Sequence, residues 1–206
     1  MKPTKAHTGR AKQEQPLGAG HSSFDLLDSR LLFKDLRLKK GSSFLDIACG
    51  RGAYVLAASQ LVGPEGLLYA VDLWEEGIAG LTEEAHGRGI RNLIVKVADV
   101  GKKIPIPDKS VDSAVMAIVL HDLVEEGKAA KALRETARVL KPEGLFAVVE
   151  FKKIEAPTGP PRQVRLDSRE VEGLVTPLGF KRMKFRDLGP DLYYIVFRFT
   201  GLPQEP

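Results

Sequence analysis

The stretch Ser43-Phe-Leu-Asp-Ile-Ala-Cys-Gly-Arg-Gly-Ala-Tyr54 joins an apolar run ending in an acid to a Gly-x-Gly turn and then to helix-forming residues. Twenty residues beyond Gly52 stands Asp72, at the end of a second apolar run, Leu67-Leu-Tyr-Ala-Val-Asp72. A strand, a glycine turn opening a helix, and a second strand closed by an acid are the parts of a Rossmann-like nucleoside site. The glycines let the backbone approach the ligand, and the second acid accepts the ribose hydroxyls.

Two residues argue against a dinucleotide. The nicotinamide fingerprint wants a third small residue where this chain has Val55, and Asp46 precedes the glycines. A carboxylate there is badly placed beside a pyrophosphate and well placed beside an ammonium or sulfonium. The pattern points to S-adenosylmethionine, with S-adenosylhomocysteine as product.

With these residues in view, the chain resembles the class I S-adenosylmethionine-dependent methyltransferases. Three more stretches resemble the branch that includes the ubiquinone/menaquinone-biosynthesis (type 11) methyltransferases. They are Ile104-Pro-Ile-Pro-Asp-Lys-Ser-Val-Asp112 before the fourth strand, Val139-Leu-Lys-Pro-Glu-Gly-Leu145 leading into the fifth, and Gly179-Phe180 with Tyr193-Tyr-Ile-Val-Phe-Arg-Phe199 as a closing hairpin. The resemblance runs from about Ser42 to Phe199. It departs from the branch at Ala48, where many members have the first glycine, and at Glu143-Gly144, which stands in place of the second proline-glycine.

Periodicity predicts an α/β fold. Strands at about 43–48, 67–72, 93–98, 113–120 and 145–151 alternate with helices at about 53–62, 75–88, 123–139 and 168–178, after a first amphipathic helix over 23–38. Such alternation implies right-handed crossovers and a parallel sheet covered on both faces. Leu188-Gly-Pro-Asp191 is too short for a crossover, so strands at about 180–187 and 192–199 run antiparallel. The expectation is a doubly wound seven-stranded sheet, mostly parallel, with an antiparallel C-terminal hairpin strand.

At 206 residues, 43% hydrophobic and 28% charged, the chain suits one enzyme domain over 23–206 behind a flexible basic tail over 1–22. Lys2, Lys5, Arg10 and Lys12 against Glu14 give that tail three of the four net positive charges. The remainder shows no basic face for nucleic acid. One cysteine, Cys49, allows neither an internal disulfide nor a thiolate metal cluster, so no metal is expected and a cytoplasmic setting is the natural inference. No run is long enough for a membrane span.

The resemblance gives the candidate site residues their roles. Asp46, Ala48, Gly50 and Gly52 surround the methionine end of the cofactor. Asp72 takes the ribose, and its Asp72-Leu-Trp-Glu75 setting also has capping-box form. Leu73 lies against the adenine or packs in the core; Asp99, with Val100, meets the adenine amino group or serves a turn. His121 follows the fourth strand and is either a general base or a pocket wall, while Asp122, with Glu125, has the spacing of a helix cap. Two lids are expected: Gly18 to Ser23 with the first helix, and Phe151 to Asp167, where Arg162 and Arg165 offer cations to an anionic substrate group.

The functional expectation is methyl transfer to a small-molecule acceptor by a monomer or homodimer. DNA amino-methylation is disfavoured by the missing Asn-Pro-Pro-aromatic signature, and arsenite methylation by the single cysteine. The alternatives are an RNA or protein methyltransferase using the basic tail, and a cofactor-binding regulator without turnover.

Overall fold

The computed structural model describes residues 22–201. The expected basic tail, and Gly18 to His21 of the first lid, lie outside the described residues. A seven-stranded sheet runs in the order β3-β2-β1-β4-β5-β7-β6. β1 (Ser43–Ile47), β2 (Leu67–Asp72), β3 (Leu93–Val97), β4 (Val111–Ala117) and β5 (Leu140–Phe151) are mutually parallel. β7 (Leu192–Phe199) enters antiparallel between β5 and β6 (Phe180–Leu188). The doubly wound sheet with its antiparallel closing strand is as expected.

Helices cover both faces, which is why β1 is buried along its whole length. On one face α1 (Ser29–Asp35), α2 (Ala53–Val62) and α3 (Glu75–Gly87) enclose a core that includes Phe44, Leu68, Val115 and Tyr194. On the other, α4 (Leu120–Glu125), α5 (Ala129–Val139) and α6 (Ser168–Val175) pack on Leu45, Ile47, Met116 and Phe146. Neighbours on β1 therefore serve different cores, and Asp46 points to the α2 side with Phe44.

Several boundaries differ from the sequence reading, each for a local reason. The helix expected over 23–38 is a 3-10 turn, Phe24–Leu26, followed by α1, because Asp28 leaves helical geometry and its carboxylate accepts the Arg30 N–H as N-cap. The helix expected over 123–139 is split into α4 and α5 at Gly127, whose φ is 68°. It also begins earlier: Val119 is the N-cap, so Asp122 sits inside the first turn and does not cap. The helix expected over 168–178 gives way after Val175 to a 3-10 turn containing Pro177. The box read at Asp72 to Glu75 does not form, since Trp74 is the N-cap of α3 and the Asp72 side chain accepts the Trp74 and Gly50 N–H groups instead.

Candidate active site at the carboxyl edge of the sheet

The strand order reverses between β1 and β4, so the crevice for a ligand opens beyond the carboxyl ends of these strands. Residues 48–52 supply its floor. Ala48, Gly50 and Gly52 have φ of 55°, 55° and 76°. An alanine thus holds the left-handed position that glycine adopts more readily, at a cost of about 1 kcal/mol. A side chain on Gly50 would meet nothing within 4 Å, whereas one on Gly52 would meet Leu81 at 2.4 Å. Gly52 is required by packing, and Gly50 faces open space.

Two carboxylates flank this turn. Asp46 is 1% exposed and accepts the Val55 N–H through Oδ2 at 3.1 Å. Its other oxygen has no hydrogen bond among the described residues. Burial pushes the Asp46 carboxyl up to about 7, against the stabilising Val55 N–H and with help from nearby Asp72.

Asp72 holds the turn from the next strand. Gly50 N–H donates to its Oδ2 and Trp74 N–H to its Oδ1, both at 2.7 Å. Each oxygen keeps a lone pair for a hydroxyl. Leu73 is 45% exposed at the mouth and is not core. Asp99 accepts the Gly101 N–H at 2.9 Å and lies 3.2 Å from Lys128 Nζ, while the Val100 side chain is buried in the core below.

The lid after β5 differs from expectation at Arg165. It is not a free cation: it is 1% exposed, its guanidinium donates to the carbonyls of Lys152, Ile154, Thr158 and Pro160, and it lies over the Phe151 ring. Arg165 closes the loop on itself, with four of its five N–H donors spent on that loop's carbonyls. Arg162 is exposed, with Nε 3.4 Å from the Lys153 carbonyl. At the other lid, Ser23 Oγ lies 2.7 Å from Tyr54 Oη and Phe24 meets the Tyr54 ring edge-on.

His121, in the first turn of α4, is buried at 4% exposure. Its Nδ1 lies 2.8 Å from Glu150 Oε2, and its backbone N–H donates to Glu150 Oε1 at 3.2 Å. Glu150 is wholly buried and was not among the candidates read from sequence. Its signal was a lone acid near the end of the apolar run Leu145 to Phe151. Burial by itself lowers the imidazole, but the Glu150 bond and charge, with Asp122 and Glu125, raise it above its ordinary value.

A family profile described as a methyltransferase domain matches residues 45–148. The Ubiquinone/menaquinone biosynthesis C-methyltransferase UbiE of Pasteurella multocida is 29% identical over 69% of this chain and 57% of its own length. The chain thus spans little more than half the length of that curated relative. A crystal structure of a SAM-dependent methyltransferase from Aquifex aeolicus is 31% identical, with 86% of this chain and 93% of that one covered, at a TM-score of 0.78. The cyclase SpnF superposes at a TM-score of 0.70 and 19% identity over 84% of this chain and 80% of its own, a likeness of fold alone.

Proposed function

Since the chain belongs to the S-adenosylmethionine-dependent methyltransferases, we propose that it transfers a methyl group to a small apolar acceptor carrying an aromatic or quinol ring. The observation that carries this reading is the cleared space above Gly50, beside Asp72 and near Asp46, whose second oxygen has no hydrogen bond among the described residues. These residues fit the cofactor. The 48–52 turn and Asp46 would hold its methionine end, Asp72 its ribose, and Leu73, Asp99 and the backbone of Val100 its adenine. Bound there, S-adenosylmethionine supplies an electrophilic methyl whose departure leaves a neutral thioether, so alignment by the protein does much of the work.

The acceptor class is supported by the rim of the crevice. Leu73, Val97, Val124 and Ile154 are exposed large apolar residues, at the end of β3 or on the segments that follow β2, β4 and β5. Such a rim favours an apolar ring over a phosphorylated or polyanionic acceptor. His121 stands beside it as the proton acceptor. The quinone-biosynthesis name of the Pasteurella relative points the same way.

The test is methyl transfer from labelled S-adenosylmethionine to a reduced, short-chain 2-alkyl-naphthoquinol, read by mass spectrometry. Methylated quinol supports the reading. Cofactor binding with no transfer to this quinol or to a simple catechol contradicts the acceptor class.

A further inference from the structure

We propose that Glu150 is the positioning residue that fixes His121 with its bare Nε2 toward the crevice, and that the methyl acceptor is therefore a weak acid which gives up an O–H, or a C–H activated by one, at that nitrogen. This rests on the methyltransferase reading and deepens it. Packing gives no reason for a glutamate at position 150, since the strand around it is apolar and a buried carboxylate is costly unless fully bonded. Both of its oxygens are engaged by a single residue, Oε1 by the His121 N–H and Oε2 by Nδ1. The carboxylate thus sets both the backbone and the ring of His121.

The tautomer follows from that bond. A carboxylate accepts, so Nδ1 carries the hydrogen and the neutral ring keeps its lone pair at Nε2. Nε2 makes no hydrogen bond among the described residues; the nearest acid is Asp122 Oδ1 at 3.4 Å. The side chain keeps 5% of its surface exposed, in the turn of helix that follows β4. The chain is steered into this position by Ile118, which leaves β4 with a φ of 50° while its N–H donates to the Val149 carbonyl. A β-branched residue in that conformation is strained by about 1–2 kcal/mol, and such strain gathers at sites where geometry matters.

The surroundings suit a ring that gains a proton. The groups that face or neighbour it are Glu150 from β5, Asp122 and Glu125 from α4, and Tyr193 from β7, which pairs with Glu150 in register. None is a cation. In the proton step the acceptor O–H bond breaks with its electron pair left on the acceptor, and an N–H bond forms at Nε2. Glu150 balances the imidazolium, and the proton passes to water past half-buried Asp122. An acceptor that is anionic before it arrives would meet three carboxylates and need no base.

The experiment has one arm that needs no acceptor. In ¹⁵N-histidine NMR of the full chain, with His121 assigned by His121→Gln, the neutral ring is expected as the Nδ1–H tautomer with a titration midpoint above ordinary histidine. Glu150→Gln should mix the tautomers and lower the midpoint. A wild-type Nε2–H tautomer overturns the proposal whether or not any substrate is known. In the second arm, transfer to the alkyl-naphthoquinol should fall roughly 10²-fold in kcat for Glu150→Gln, with KM and cofactor affinity held and the rise of rate with pH moved to lower pH. A more acidic quinol, already ionised at the assay pH, should lose most of that sensitivity. Equal losses for both quinols with an unmoved pH profile would make Glu150 merely structural and overturn the proposal. Absence of transfer by the wild type would instead strike the acceptor reading, leaving the NMR arm to decide this one.

Discussion

Replacing Asp46 with asparagine should make the ligand-free protein more stable at neutral and alkaline pH while weakening its hold on the cofactor. The buried carboxyl titrates at about 7 when folded, against an ordinary 3.8. Because the folded state favours the protonated form, no penalty exists below pH 3.8. Stability is then lost as pH climbs from about 4 to 7, after which the full penalty applies. Three pH units correspond to about 4 kcal/mol. Asparagine keeps an oxygen for the Val55 N–H and does not titrate. Urea unfolding of both proteins at pH 4.5, 6 and 8 should show the variant gaining on the wild type by about 2–4 kcal/mol across that range. Parallel curves, differing by less than about 1 kcal/mol between the extremes, would refute the reasoning. The same account requires a cationic ligand to repay the penalty. Calorimetry near pH 6.5 in buffers of different ionisation heat should therefore show a proton released when S-adenosylmethionine binds the wild type, and none for the variant.

Other perturbations separate ligand contacts from scaffold. Asp72→Ala frees the Gly50 and Trp74 N–H groups and should weaken S-adenosylmethionine and S-adenosylhomocysteine alike by roughly 1–3 kcal/mol in calorimetry; unchanged affinity would remove Asp72 from the site. Gly50→Val should abolish cofactor binding while the circular dichroism spectrum stays native, since the new side chain enters open space at a backbone cost of about 1–2 kcal/mol. Arg165→Met should leave cofactor affinity unchanged but open the 152–165 loop to limited proteolysis and destabilise the protein by about 2–4 kcal/mol, because four carbonyls lose one shared donor. A loss of cofactor affinity without any change in proteolysis would contradict its role as the pin of that loop.

What could be read in the sequence was local. The glycine turn and the strand-end acids Asp46 and Asp72 lie within thirty residues, and their burial follows from strand periodicity and the Rossmann-like layout. The antiparallel hairpin was legible because Leu188 to Asp191 cannot hold a crossover. The residues that escaped are those whose roles depend on distant partners. Glu150 and His121 are 29 positions apart and meet only because β4 and β5 are neighbours. Arg165, read as a loop cation, is buried by carbonyls of its own loop, a closure that no periodicity announces. Helix ends moved for a similar reason: Asp28 and Gly127 interrupt patterns that apolar spacing alone would carry through.

The central claim is that the crevice beyond β1 and β2 is built for S-adenosylmethionine, with the Gly50 clearing and the Asp46 and Asp72 carboxylates as its recognition elements. Its most direct test is calorimetric titration of the wild-type chain with S-adenosylmethionine, repeated in saturating NADH. The account predicts a single site whose affinity is untouched by NADH. Absence of binding, or its suppression by the dinucleotide, would contradict it.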